Sequence, residues 1–220
     1  MTTYSYQFER SKNLEFLKSL LKRARKVNLV TGESINLDFH SIPHYGEESV
    51  LEKNYVPRRG HAEKSILVCF GQDVESRVLC YSNACLLKKD KAGEVLQFAE
   101  YWKDSTGSYP EELVFDSQFT TVNSLNELNK LGIHFITLRR RNRRLLADLL
   151  QLPKASWQRC TLDVPHRKYK HPGFYESRIQ LKGYYGATRE SAQLNGRILR
   201  ACSPPFRLRK TSWICGVIRD

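Results

Sequence analysis

The chain has 220 residues and a formal net charge of +13, with 40% hydrophobic and 11% aromatic residues, enough apolar material for one large domain or a core with an appendage. No apolar run approaches the roughly 20 residues of a membrane helix. The first residues also lack the charged-then-apolar pattern of a signal peptide, so a cytoplasmic protein with no membrane partner is expected. Six cysteines without a C-x-x-C pair argue against a zinc or disulfide framework, and Cys69 and Cys80 sit in strand-like runs as core-filling thiols.

Leu14, Leu17, Leu20 and Leu21 recur at helical spacing among Lys18, Lys22, Arg23, Arg25 and Lys26. This predicts a basic amphipathic helix over 11–27, either touching phosphates or packed on the core with a solvated basic face. A turn at 31–33 leads into the apolar run Ile35-Asn36-Leu37-Asp38, which reads as a strand closed by Asp38. A polar loop follows, carrying Lys53, Arg58, Arg59 and His61. Residues 65–70 and 77–81 then read as two strands joined by the turn Gly71-Gln72-Asp73.

At 91–104 the period switches to helical. Val95, Phe98, Ala99 and Trp102 share one face, with Lys91, Glu94 and Lys103 off it, and Thr106 to Pro110 stop the helix. Residues 113–115 form a fourth strand ending at Asp116. Val122, Leu125, Leu128 and Leu131 mark another helix with Gly132 as its C-cap, and 133–138 form a fifth strand. Three antiparallel strands followed by parallel strands through helical crossovers make a mixed α/β sheet. If the fourth strand runs parallel to the first, Asp38 and Asp116 leave the same sheet edge, where ligands of open α/β sheets bind. Two converging carboxylates repel unless a cation lies between them, and oxygen ligands of this kind suit Mg²⁺ or Mn²⁺. Such ions activate the attacking oxygen and stabilise the leaving one in phosphodiester transfer. The structural alternative is that each Asp is a turn former or helix cap.

The charge is unevenly spread. Residues 1–138 hold 17 Lys/Arg against 18 Asp/Glu, whereas 139–220 hold 19 against 5. A basic third of this kind points to a polyanion, most often nucleic acid, or to a solvated basic face. Arg139, Arg140, Arg141, Arg143 and Arg144 open it, and Arg167, Lys168 and Lys170 continue it, with Trp157, Tyr169, Tyr184 and Tyr185 interleaved. Phosphate contact and base stacking use such a mixture.

Two blocks carry a resemblance. Asn36-Leu37-Asp38-Phe39-His40-Ser41-Ile42-Pro43-His44-Tyr45 resembles the first-aspartate strand of insertion-sequence DDE transposases. Phe115-Asp116-Ser117-Gln118-Phe119-Thr120-Thr121, with the later Gly132-Ile133-His134-Phe135-Ile136-Thr137, resembles their second-aspartate block. The resemblance covers about residues 30–190 and implies an RNase H-like fold of the retroviral integrase superfamily. It also implies Asp38 and Asp116 as catalytic metal ligands for Mg²⁺ or Mn²⁺, and DNA, at transposon terminal repeats, as the partner. Arg58, Arg59 and the basic residues of 139–170 would bind that DNA. A homo-oligomer and a location on the bacterial nucleoid accompany this reading.

The family's third acid, a glutamate on a later helix, has no counterpart here. Glu176 and Glu190 fall within the stretch that matches the family's β-rich insertion, and Ser203 to Lys210 break any helix. The expectation is a truncated or frameshifted member of low activity, its frame broken near residue 190. The implied organisation is a basic helical segment (1–30), an RNase H-like core (31–138), a basic insertion (139–190) and an atypical tail (191–220). Two other functions stand beside it: a non-catalytic DNA-binding protein using 139–220, and a metal-dependent nuclease on the same fold.

Overall fold

The computed structural model describes residues 10–46, 51–139, 143–159, 171–195, 198–200 and 212–216. They form an α/β structure with parallel and antiparallel strand pairs, as the order of strand and helix signals predicts. The chain divides into two compact units. The first is Met1–Val114 with Lys130–Ile133, and the second is Phe115–Asn129 with His134–Asp220.

In the first unit the basic amphipathic segment is helix α1, Arg10–Lys26. Its Leu21 is buried, and Lys18 Nζ reaches Asp104 Oδ2 at 2.8 Å, pinning α1 to the second helix. Strand β1 spans Ser34–Pro43, so Asp38 lies in mid-strand rather than closing it. The reason is pairing: β1 runs antiparallel to β3 (His61–Asp73) from Ile35↔Asp73 to Pro43↔Ser65, well beyond the apolar run. The expected polar loop is also partly strand. Lys53–Val56 form β2, which pairs antiparallel with the start of β3 as a hairpin. Strand β4, Leu79–Leu86, pairs antiparallel with β3 and extends five residues past the expected end at 81. Strand β5, Glu112–Phe115, is the neighbour of β1.

Helix α2, Lys91–Thr106, packs its apolar stripe on this sheet. Phe98 meets the Tyr81 ring edge-on at 5.2 Å and lies 5.9 Å from Trp102. The approach is close enough to require glycine at position 71, where a Cβ would come within 3.0 Å of both Tyr81 Cβ and Phe98 Cε2. Glu94, expected off the apolar face, is fully buried. It stands four residues before Phe98, hence on the same stripe, and accepts hydrogen bonds from Tyr81 Oη at 2.8 Å and Asn83 Nδ2 at 3.1 Å.

The second unit begins at Phe115. A 3₁₀ turn (Ser117–Phe119) leads to α3, Val122–Lys130. Thr121 Oγ1 caps this helix by accepting the Ser124 N–H at 3.1 Å. Gly132 follows in the left-handed conformation expected of a C-cap, with φ at 73°. Strand β6 is His134–Arg139. The stretch after it, matched in sequence to a β-rich insertion, opens with helix α4, Arg143–Leu150. Leu149 of α4 forms a small core with Ala192, against which Leu145, Leu146, Trp157 and Tyr175 pack. Strands β7 (Gln158–Arg159), β8 (Gly173–Ile179), β9 (Thr188–Asn195), β10 (Ile198–Arg200) and β11 (Ser212–Gly216) complete the unit. Their order is β6-β11-β9-β8-β7, with β10 on β9, and β11 runs parallel to both β6 and β9. Phe119, Phe115, Phe135 and Tyr184 form its aromatic core, each ring about 6 Å from the next.

Candidate metal-binding and nucleic-acid-binding residues

Asp38 belongs to the first unit, where strand alternation turns it outward while Ile35 and Leu37 point into the core. Its Oδ1 accepts the Phe39 N–H at 2.9 Å. Lys91 Nζ, at the start of α2, stands 5.0 Å from the centre of the neighbouring Phe39 ring. The Cys69 thiol, wholly buried on β3, has its pKa pushed up first by burial and then by the negative charges of Glu94 and Asp38. Burial likewise pushes Cys80 up to about 12. Both are inert core thiols, as their strand contexts predict.

Asp116 belongs to the second unit and follows β5 directly. It takes the N-cap position of the 3₁₀ turn, accepting the Ser117 N–H on Oδ1 and the Gln118 side-chain amide on Oδ2 at 3.3 Å. Gln118 therefore orients this carboxylate, while capping of the longer helix falls to Thr121. Carboxylate oxygens carry about four lone-pair sites, so these bonds leave Asp116 with acceptor capacity for a hard cation. The donor chemistry of the two aspartates fits Mg²⁺ or Mn²⁺. Among the described residues, no group of three or more His, Cys, Asp or Glu side chains is placed to hold a metal ion.

Glu190 is buried on β9, opposite Ser177 of β8 and Ile214 of β11. Glu176 on β8 faces Arg189 Nη2 at 3.8 Å. Both sit within the second unit's sheet and neither lies on a helix. His40 is exposed and His44 half-buried beyond Asp38 on the same segment.

The basic residues divide in the same way. Arg58 and Arg59 are exposed at the tip of the β2–β3 hairpin. Arg143 and Arg144 are exposed at the start of α4. Arg139 ends β6, its side chain undescribed, and Arg140, Arg141, Arg167, Lys168 and Lys170 lie outside the described residues. Of the aromatics expected to stack on bases, Trp157 packs on Tyr175 at 5.8 Å and Tyr184 is buried against Phe135. Tyr185 is 84% exposed. Asn126 of α3 holds its backbone, accepting the Tyr185 N–H at 3.0 Å and donating to Gly183 O at 2.9 Å.

Two exposed aromatics of the first unit, Tyr45 and Tyr55, carry no sequence signal on their own. Their position becomes visible only once β2 is seen to pair with β3.

No family model matches the chain, and no curated protein matches it. A solved structure described as "Crystal structure of the Mos1 mariner paired end complex with Mn" aligns with 66% of this chain at 10% sequence identity, with a TM-score of 0.31. The aligned chain spans half the length of that protein, 50%.

Proposed function

We propose that the chain is a DNA-acting protein on an RNase H-like core, similar to insertion-sequence DDE transposases. Asp38 and Asp116 would hold Mg²⁺ or Mn²⁺, and the exposed arginines would bind DNA phosphates. The observation that supports this reading is that β1, which carries Asp38, lies next to the strand that Asp116 follows in the sequence. β1 and β5 are neighbours, and the Ser34 hydroxyl donates to Glu112 Oε1 at 2.8 Å, so their first residues sit together at one edge.

A bound divalent ion would supply charge stabilisation for phosphodiester transfer. The chain's own part is to present carboxylates as ligands, with Gln118 and the Ser117 N–H fixing the orientation of one of them. Among the described residues no third acidic, His or Cys side chain groups with the two aspartates to hold a metal ion, so the chain as proposed binds DNA and turns over little. The segment 139–190 is proposed as the main DNA-facing part, the bacterial nucleoid as the location, and transposon ends as the natural target.

Mn²⁺ binding by titration calorimetry tests the metal reading without relying on activity. Replacing Asp116 with Asn is expected to weaken Mn²⁺ binding at least about ten-fold, since even groups that only orient a ligand cost ten- to hundred-fold when lost. It is expected to leave DNA affinity within about two-fold at fixed salt. Unchanged Mn²⁺ affinity in both Asp116→Asn and Asp38→Asn variants would overturn it. Nicking of supercoiled plasmid with Mn²⁺, weak in the parent and absent in Asp116→Asn, would support the catalytic form. Salt-sensitive binding with no nicking under either metal would favour the non-catalytic reading, and nicking without strand joining the nuclease.

A further inference from the structure

The β2–β3 hairpin of the first unit carries an arrangement that the proposed metal chemistry does not use. β2 alternates outward and inward: Lys53 and Tyr55 outward, Asn54 and Val56 buried. The register sets Lys53 directly opposite Lys64 and Tyr55 opposite Ala62. Ser65 N–H donates to Glu52 C=O at 3.2 Å, which makes 52/65 a hydrogen-bonded pair. The adjacent 53/64 pair is then the non-hydrogen-bonded type, in which facing side chains come closest. Two ammonium groups directly across from each other destabilise a hairpin, and among the described residues no carboxylate pairs with Lys53, Lys64 or Arg58. Glu63 points to the other face with Asn54 and stands 4.0 Å from Arg59 and 3.9 Å from His61.

Tyr55 completes this surface, and Tyr45 flanks the hairpin. Tyr55 is 61% exposed because the residue across from it is only an alanine, which leaves the ring face uncovered. Tyr45 is 74% exposed. It is steadied rather than covered: Arg59 Nη2 donates to its hydroxyl at 2.6 Å, and the guanidinium lies 5.9 Å from the ring centre. The preceding His44 N–H donates to Lys64 C=O at 3.1 Å, fixing this segment to the hairpin beside the lysine pair.

The geometry points to the β2–β3 hairpin as a clip for single-stranded DNA, with Lys53, Lys64 and Arg58 on phosphates and Tyr55 stacked on an unpaired base. Charge complementarity selects a polyanion, and the open ring selects one whose bases are free to stack, which duplex DNA does not offer. A bound phosphate relieves the Lys53–Lys64 repulsion, so the feature that costs the free hairpin stability becomes binding energy in the complex. This deepens the proposed function and rests on its DNA partner alone, not on Asp38, Asp116 or a metal.

The test is fluorescence anisotropy of the full chain with a labelled oligothymidine strand and, separately, a labelled duplex, over a range of salt. Tyr55→Ala is expected to weaken single-strand binding roughly five- to hundred-fold and to leave duplex binding within two-fold, while Tyr55→Phe, which keeps the ring, binds as the parent. Lys64→Glu replaces a repulsive cross-strand pair by an attractive one. It is expected to melt at or above the parent's temperature while losing single-strand affinity and lowering the salt slope by about 0.7 or more. Tyr55→Ala and Lys64→Glu both binding the single strand as tightly as the parent would overturn the inference. So would an equal loss of duplex binding in Tyr55→Ala. Unchanged Mn²⁺ affinity in Asp116→Asn and Asp38→Asn would overturn the metal reading and leave these expectations standing, so the two proposals fail separately.

Discussion

Phe98→Ala is expected to destabilise the first unit by about 3–5 kcal/mol, the range for deleting a fully buried aromatic ring. Phe98 is wholly buried at the centre of the contact between α2 and the sheet. Its ring is shared among Tyr81 at 5.2 Å, Trp102 at 5.9 Å and Tyr101 at 6.2 Å, and it sits over the open backbone of Gly71. Those neighbours belong to three different elements, so none can move in without dragging its own backbone, and most of the cavity stays open. The measurement is the urea midpoint, which falls while the slope stays that of the parent. Leu79→Ala, at a position left exposed at the start of β4, is the control and changes stability by no more than about 0.5 kcal/mol. A loss below about 1 kcal/mol for Phe98→Ala would show that α2 is not packed on the sheet in this way.

The helices of the first 138 residues were legible because their signals are local. Val95, Phe98, Ala99 and Trp102 repeat at 3.6 residues, and all are buried. Leu125 and Leu128 do the same for α3. The strands were legible in place but not in length. β1 continues through His40, Ser41 and Ile42 because β3 supplies hydrogen-bonding partners as far as Ser65, and nothing near Asp38 in sequence announces that. β2 escaped for the same reason. Four residues with two outward polar or aromatic side chains form a strand only against His61–Lys64.

Glu94 shows the limit most directly. Charge argued for the surface, yet the residue is buried because Tyr81 and Asn83, from another strand, supply the donors. In α4 the apolar spacing of Leu145, Leu146 and Leu149 was present but masked by the arginines that precede it. The same distinction holds for the candidate site. The two aspartates stand out from their local strand context, whereas the surface that presents Tyr55 beside two facing lysines depends on strand register.

Removing the Asp73 carboxylate is the second large effect, and its signature is pH-dependent. Asp73 ends β3, fully buried, and gathers four donors from two loops. The Gly32 N–H reaches Oδ1 at 2.9 Å and the Thr31 hydroxyl reaches it at 3.2 Å. The Ser76 N–H and hydroxyl reach Oδ2 at 2.9 Å and 2.7 Å. Asp73→Ala strands two backbone N–H groups, each costing about 1–3 kcal/mol when buried without an acceptor. A total loss of about 2–5 kcal/mol is expected.

Burial by itself would raise the Asp73 pKa, but the bonds from Ser76, Gly32 and Thr31 together hold it below the ordinary carboxylate value. A group whose folded pKa lies below its unfolded value, near 3.9 for Asp, stabilises fully above that value. The contribution disappears as pH falls through about 4 toward the folded pKa. The parent's urea midpoint should therefore drop on acidification through this range, and Asp73→Asn, which does not titrate, should show a shallower drop. Asp104, held low by its bond to Lys18, titrates in both proteins and cancels in the comparison. Identical acid slopes in parent and Asp73→Asn would mean that the four donors do not favour the charged form. The short loops at 31–32 and 73–76 would then be held by their backbone bonds alone, among them Val74 N–H to Ser34 C=O at 3.0 Å and Arg77 N–H to Asp73 C=O at 2.9 Å.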